Sequence, residues 1–416
     1  MCENGDFNMQ IYMVGGAVRD MVLGKEPHDR DYVVVGATPQ EMTALGYICV
    51  GKQFPVFLHP VSKEEYALAR KEIKTGPKHT DFKFVFDCLV TLAEDLQRRD
   101  FTCNALVYDQ LLQKVEDYVG GLRDIEQRTL RHINSEHFVE DPLRILRMCR
   151  FAAQLNFSVA PETMALVQQM VKENMLQYLS SERIWQEFYK AMKAGCFAQF
   201  ILMMRECGAL QKLLPEIEKL WQTPEICEYH PEGNSGAHTI LTVEQGANFA
   251  PEIQFALLLH DVGKSQTPED ILPHHYQHDW RGFELVKKIC KRLNAPKKFM
   301  FMAMVAARYH MRFFAVPQMR RGKLRDFLAE LTHDFRDKNA LDGLMQICRC
   351  DMYGRAEIPS DDELACYEQA CQRCENVWNV LSKLKATDMP NFAQLPKNAD
   401  FFAKWREFQI QKINNL

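Results

Sequence analysis

This sequence has no excess of charge of either sign: 51 Lys and Arg stand against 55 Asp and Glu, a formal net of −4. That balance excludes a chain coated in basic residues for a polyanion, though not a local concentration of cations. Long hydrophobic runs are also missing. Nothing approaches the roughly 18 consecutive apolar residues of a membrane span, so no membrane partner is expected. Met1 to Asp6 are polar and acidic and lack the order of a secretory signal, which makes a cytoplasmic location the expectation. Cysteine is not scarce, but the 14 residues follow no framework spacing and read as reduced thiols. The C-x-x-C of Cys371 and Cys374 has no second pair and does not by itself make a zinc site. Internal repeats and low-complexity segments are lacking.

What is present is a globular composition, 47% hydrophobic and 25% charged over 416 residues, comfortable for two to four domains. Residues 9–36 read as strand, turn, helix, strand: Gln10 to Val14 is β-rich, Gly15-Gly16 breaks it, Ala17 to Leu23 is helical, and Tyr32 to Val35 is a second strand. Val56 to His59 and Tyr66 to Ala69 read as further strands, and residues 71–90, with Gly76-Pro77, as loop. From about residue 120 a helical period takes over, as in Leu143, Leu146, Phe151 and then Ile184, Trp185, Phe188, Met192. Ser180-Ser181-Glu182 marks a helix start, and the polar stretch Tyr229 to Gly236 a boundary. The expected fold class is α+β, a small mixed-sheet head followed by an all-helical body.

Asp29 and Asp31, one residue apart at a strand start, would point to one face. Two convergent carboxylates suit Mg²⁺, which takes hard oxygen ligands together with substrate phosphates. Upstream, Gly15-Gly16 between strand and helix lets backbone amides approach a triphosphate, and Arg19 aims a cation at the same place. Glu65, on a later strand, is a candidate third carboxylate. Acids on a strand behind a glycine turn are the arrangement of a two-metal nucleotidyl or phosphoryl transferase.

Val14-Gly15-Gly16-Ala17-Val18-Arg19-Asp20 followed by Asp29-Arg30-Asp31 resembles the polymerase-β-type motif of class II tRNA nucleotidyltransferases, the CCA-adding enzymes. Further family motifs follow in order: Arg98 to Ala105; Asp117 with Gly121 and Asp124; Glu140 to Arg147; and Glu182-Arg183-Ile184-Trp185 with Glu187. The resemblance runs from Met9 almost to the C-terminus. It implies a polymerase-β-like head and template-independent addition of CCA to tRNA from CTP and ATP, with Mg²⁺ on Asp29 and Asp31. It further implies that Gly16 and Arg19 bind nucleotide, that Arg99 meets the triphosphate, that Asp100 and Asn104 meet the sugar, and that Arg147 contacts phosphate. Asp141 and Arg144, three apart on a helix, share a face. A carboxylate accepts from an exocyclic amine and a guanidinium donates to a ring acceptor, so one pair reads both cytosine and adenine and rejects guanine and uracil. The resemblance implies that role, with Glu140 orienting Arg144.

More than half of the 13 histidines lie between residues 230 and 310. His260-Asp261 ends an apolar run, with His238 before it, His274, His275, His278 and His310 after it, and Asp351 beyond. Imidazole and carboxylate at this density suit a transition metal such as Ni²⁺, Mn²⁺, Fe or Zn²⁺. The segment resembles the HD phosphohydrolase superfamily, which some bacterial CCA-adding enzymes carry. His238, His260, Asp261 and Asp351 match its pattern, with His278 and His310 as additional groups. That implies phosphatase, 2′-nucleotidase and 2′,3′-cyclic phosphodiesterase activity with Ni²⁺ or a similar ion. The expected domains are 9–130 (head), 131–228 (neck and body with base- and tRNA-binding elements), 229–355 (HD domain) and 356–416 (helical tail), in a monomer or homodimer.

Two rivals remain. Bacterial poly(A) polymerases share the head; they typically carry Gly-[Arg/Lys]-[Arg/Lys]-Phe where this chain has Gly51-Lys52-Gln53-Phe54-Pro55-Val56, which resembles the CCA-adding group. Alternatively the hydrolase is the principal activity and the head only binds tRNA. One departure from the family concerns Arg70 to His79, where Lys78 and His79, with Leu89 beyond, replace the usual residues of a loop that helps the change from C to A addition.

Overall fold

The computed structural model describes residues 9–27, 29–50, 56–74, 82–85, 88–226, 228, 230–390, 392 and 399–414. Residues 51–55, Gly76 to His79 and Tyr229, used above, lie outside the described residues. By its internal contacts the chain forms two compact units, residues 1–187 with 203–212, and residues 188–202 with 213–416.

The first unit opens with β1 (Gln10–Val14), α1 (Gly16–Val22), β2 (Asp31–Val35), α2 (Pro39–Ala44), β3 (Ile48–Val50), β4 (Val56–Leu58) and β5 (Glu65–Leu68). Next come β6 (Lys71–Lys74), β7 (Phe82–Val85), α3 (Leu92–Gln97), β8 (Val107–Asp109), β9 (Lys114–Glu116), α4 (Gly121–Glu126) and β10 (Thr129–Leu130). One sheet runs in the order β3-β4-β5-β2-β1-β8-β9. Only β2 and β5 pair in parallel; the other neighbours are antiparallel. β1, β2, β4 and β5 fall where β-branched and aromatic runs predict them, while β3 at Ile48–Val50 lies outside those runs. Residues 71–90, read as loop, contain the antiparallel pair β6 and β7. The sequence Lys71-Glu72-Ile73-Lys74 hides its strand because it carries little of the apolar alternation that marks one.

A cluster of Val14, Val33, Ala69, Leu92, Leu96, Ala105 and Val107 fixes the sheet against α3 and the segment after it. Two capping boxes, Thr38 with Glu41 and Thr91 with Glu94, start α2 and α3. The Asp117 motif is scaffold: its carboxylate accepts from the backbone N–H of Val119, Gly120, Gly121 and Leu122 at the start of α4. Asp124 accepts from Thr102 Oγ1 at 2.6 Å. Gly121 is required there, because a Cβ would collide with the Thr102 carbonyl.

Helices follow: α5 (Ser135–Phe138), α6 (Leu143–Leu155), α7 (Pro161–Lys172), α8 (Ser181–Lys193) and α9 (Phe197–Glu206), with β11 (Ser158–Val159) paired to β10. The predicted periodicities at 143–152 and 184–192 fall on α6 and α8, and α8 begins at Ser181 as its cap sequence predicts. The division between units falls within α8 and α9.

In the second unit the described regular elements are helices: α10 (Ala209–Leu213, which begins in the first unit), α11 (Pro215–Glu218), α12 (Ser235–Gln245), α13 (Pro251–Leu259), α14 (His278–Leu293), α15 (Lys297–Phe314), α16 (Arg321–Leu331), α17 (Lys338–Tyr353), α18 (Asp361–Leu381) and α19 (Ala399–Lys412). α13 is apolar and buried from Phe255 to Leu259, with α15 and α17 packed against it. No helix among the described residues is long and apolar enough to cross a membrane. All 12 described cysteines are free thiols.

Candidate functional site

Strand register builds the first site. Antiparallel pairing sets Val14 opposite Asp31, and parallel pairing sets Asp31 beside Glu65. The Gly15-Gly16 turn, the two aspartates and Glu65 therefore share one end of the sheet. β2 begins at Asp31, so Asp29 stands in the bend before the strand rather than on it, and both still line one cleft of about 1110 Å³. Burial, then the Glu65 carboxylate and Asp29, push the Asp31 pKa up, with Arg99 opposing. Three mutually repelling carboxylates at a solvent-facing sheet end are a donor set that a hard divalent cation relieves. Gly15 has φ +79°, and a side chain on it would meet Arg99 Nη1 at 3.6 Å.

The rest of the cleft wall is rich in arginine: Arg19, Arg70, Arg98, Arg99, Arg144, Arg147, Arg150 and Arg183 line it, and among the described lining residues there is no lysine. The guanidinium fork suits phosphate oxygens better than a point charge does. Phe151 is the platform: Arg19, Arg147 and Arg150 lie 5.4, 5.1 and 4.1 Å from its ring centre. Buried Arg19 donates to Asn104 Oδ1 at 2.6 Å and to Asp20 at 2.7 and 2.9 Å. Asp100 accepts from Arg147 Nε at 2.7 Å and from Asn104 Nδ2 at 3.3 Å. Burial would raise the Asp100 pKa, but Arg147 outweighs it and holds the carboxyl below its usual range. Arg19, Asn104, Asp100 and Arg147 are thus one connected network, and Arg99 stands beside it. Asp95, fully buried, backs it by accepting from Arg98 and Arg99.

Asp141 and Arg144 both line the cleft, but each has a partner. Arg144 donates to the carbonyls of His137 at 2.7 Å and Arg98 at 2.6 Å. Glu140 lies 3.3 Å from His137 Nδ1. Asp141 pairs with Arg183, 42 residues away, at 2.8 Å. Arg183 was quoted above only as part of a motif. No spacing rule predicts this pair, nor the buried pair of Arg150 and Glu187 at 2.6 Å.

The second unit holds the other cluster. His238 comes from α12, His260-Asp261 from the end of α13, His278 from the start of α14, His310 from α15 and Asp351 from α17. His238 Nε2 lies 2.9 Å from Asp351 Oδ1, and His260 Nε2 lies 3.4 Å from Asp261 Oδ2 and 3.6 Å from Asp351 Oδ1. On the other carboxylate oxygen, Asp261 Oδ1, converge His278 Nε2 at 3.4 Å and His310 Nε2 at 3.3 Å.

The opposite ring nitrogens explain the convergence. Nδ1 of His238, His260, His278 and His310 donates to the carbonyls of Gly354, Leu257, His275 and Ala306 at 2.7 to 3.1 Å. A carbonyl only accepts, so each Nδ1 carries a proton and each Nε2 is the nitrogen turned inward toward the carboxylates. Asp261 Oδ1, buried, accepts no hydrogen bond among the described residues. Burial would lower the His260 pKa, but Asp261 and Asp351 outweigh it and raise it to about 10; burial lowers that of His278 to about 4. Four inward-turned Nε2 atoms, which become donors when a cation takes the place of their protons, two carboxylates and an orphaned oxygen are the donor chemistry of a transition-metal site. Behind it, Lys264 Nζ bridges Asp261 at 2.7 Å and Glu225 at 2.8 Å. Glu232 lies 3.2 Å from His238 Nδ1. Sequence reading assigned no role to Lys264, Glu225 or Glu232, since nothing local links them to the histidines. His275 falls outside the cluster, bonded to Thr267 and the Pro224 carbonyl, and His274 stacks on Tyr276.

Residues 11–131 match the family model described as the poly A polymerase head domain, and residues 156–220 one described as a probable RNA and SrmB-binding site of polymerase A. A multifunctional CCA protein of Acinetobacter baumannii is 41% identical over 412 residues, 98% of either chain. One of Neisseria meningitidis is 46% identical over 350 residues, 83% of either chain. A crystal structure of the Bacillus stearothermophilus CCA-adding enzyme in complex with CTP superposes with a TM-score of 0.65 at 22% identity, covering 98% of this chain and 91% of that one, a likeness of fold. With such identity along nearly its whole length, the chain belongs to the class II CCA-adding tRNA nucleotidyltransferases, among the multifunctional CCA proteins.

Proposed function

We propose that this protein adds C, C and A in turn to the 3′ end of tRNA, taking CTP and ATP and using no nucleic-acid template. The observation that carries this is the single cleft joining Asp29, Asp31 and Glu65 to the arginine network and to Asp141 and Arg144. Mg²⁺ held by Asp29 and Asp31, with Glu65 beside them, would supply polarisation of the α-phosphate and of the attacking 3′ hydroxyl. Arg99, beside the Gly15-Gly16 turn, binds the triphosphate, while Gly16 leaves the backbone open to it. Asp100 and Asn104 receive the ribose, and Arg19 and Arg147 neutralise phosphate. Asp141 accepts the exocyclic amine shared by cytosine and adenine, and Arg144 donates to the neighbouring ring acceptor. Guanine and uracil would leave both groups unpaired in a partly desolvated cleft.

Functionally the chain divides into a head (9–130), a neck and body (131–228), a hydrolase domain (229–355) and a tail (356–416). The hydrolase domain is the second part of the proposal. His238, His260, Asp261 and Asp351, with His278 and His310, would hold Ni²⁺ or a similar ion that activates water toward a phosphoester. A 2′,3′-cyclic phosphate, a 2′-nucleotide and a phosphomonoester are its substrate classes, and tRNA ends in the cytoplasm the setting.

Labelled CTP alone, supplied to tRNA lacking its terminus, tests the first part. Two cytidines and a stop are expected; no cytidine, with long A tracts from ATP, would turn the reading to a poly(A) polymerase. Asp29→Ala should abolish nucleotide addition and spare the hydrolase, and His260→Ala should do the reverse. Loss of both activities from either change would refute two independent sites.

A further inference from the structure

Both oxygens of Asp141 are already engaged. Arg183 Nη2 donates to Oδ2 at 2.8 Å and to Oδ1 at 3.1 Å, and the Leu143 backbone N–H donates to Oδ1 at 3.0 Å. A carboxylate offers about four lone-pair directions. With these three taken, about one remains, and it belongs to Oδ2. The pair is not closed away: the Arg183 and Asp141 side chains keep 34% and 31% of their exposure, and both line the cleft.

Helix stability does not account for Arg183. It is the third residue of α8, in a first turn where a cation faces the positive end of the helix dipole. Asp141 offsets that placement, so the arginine serves the carboxylate rather than its own helix.

We propose that Arg183 is a positioning residue for base selection. It clamps the Asp141 carboxylate so that a single Oδ2 lone pair faces the incoming base. A base offering an exocyclic amine completes the shell; a base offering a carbonyl oxygen there meets a fixed acceptor it cannot pair with. Freed of the clamp, the carboxylate can rotate and accept from water or from other donors, and discrimination falls. This rests on the reading of Asp141 given above.

The test is the ratio of kcat/KM for CTP over UTP on tRNA lacking its terminus, for the full chain and for Arg183→Gln and Arg183→Lys. Arg183→Gln should lower the ratio about tenfold, the effect of one charge-assisted hydrogen bond, mainly through a higher KM for CTP. Lysine keeps the charge but replaces the planar guanidinium, whose Nη2 meets both oxygens, with a rotating ammonium on a flexible stem, so Arg183→Lys should recover only part of the ratio. In an Asp141→Asn background the Arg183→Gln change should do nothing further, since the arginine acts through that carboxylate. An unchanged CTP-over-UTP ratio overturns the proposal whatever happens to the melting temperature. An additional loss in the Asp141→Asn background also overturns it, because Arg183 then touches substrate directly. If the unaltered chain adds no cytidine, the assignment of the cleft fails and this inference with it; if it selects C over U and the variants do so equally, only the role of Arg183 fails.

Discussion

Gly263 separates the two proposed sites experimentally. It follows His260-Asp261 by two residues, where that segment presses on the start of α14. A Cβ at Gly263 would collide with the His278 carbonyl and would lie 2.5 Å from Gly282 N and 2.9 Å from Gly282 Cα. Every collision is with backbone, so no side chain can swing aside. Restoring an ordinary contact of about 3.4 Å to Gly282 N alone requires the segments to part by about 0.9 Å, and the closer His278 carbonyl requires more. Overpacking of that kind costs about 1–3 kcal/mol, which for a unit of some 200 residues lowers its melting temperature by about 2–12 °C. Metal coordination tolerates only about 0.2 Å. Gly263→Ala should therefore fold, bind Ni²⁺ at least tenfold more weakly by titration calorimetry, and lose hydrolysis of a 2′,3′-cyclic nucleotide. Nucleotide addition, which depends on the first unit, should stay within about twofold of the parent. Undiminished Ni²⁺ affinity would refute the claim that this contact sets the position of His278 relative to Asp261.

Three further outcomes follow from the first unit. Asp95→Ala leaves Arg98 and Arg99 without their buried acceptor, and because these arginines keep 15% and 20% exposure the loss should sit near the low end for a broken buried pair, about 3 kcal/mol by denaturant melting. Its KM for nucleoside triphosphate should rise as Arg99 loses its support. The Asp100 pKa is depressed in the folded state, so its stabilisation is complete above the unfolded carboxylate pKa of about 3.9 and drains away as pH falls below it; acid melting of Asp100→Asn should accordingly fall less steeply than that of the parent. Burial raises the Cys103 thiol to about 12, whereas Cys49 is exposed; iodoacetamide followed by peptide mapping should label Cys49 and spare Cys103 at neutral pH.

The parts of the site legible in the sequence are those whose determinants are local. Gly15-Gly16 is a break in a β-rich run, and Asp29 and Asp31 sit at the head of the next one. What brings them to Glu65 is register, with Val14 opposite Asp31 and Asp31 beside Glu65, and register arises from pairings between distant segments. The histidines stood out by density alone, yet the anchoring of their rings depends on carbonyls that any residue carries. Arg183 and Glu187 were visible as motif members but not as partners, because an ion pair spanning 37 or 42 residues leaves no periodic trace. The pair β6 and β7 was missed because its first strand alternates charge with little apolar content. The net charge of −4 was similarly uninformative: the cations that matter are arginines collected on one wall, three of them around one phenylalanine.

Main-chain anchoring of the four imidazoles has a consequence for how such a centre withstands mutation. The groups that set each tautomer are the carbonyls of Leu257, His275, Ala306 and Gly354, and no substitution deletes a carbonyl. The ring orientations are thus inherited from the main chain, in helices at Leu257 and Ala306 and just outside them at His275 and Gly354, and are encoded in no side chain. The fragility of the centre is concentrated instead where backbones press together, as at Gly263 against the His278 carbonyl and at Gly354 against Thr242.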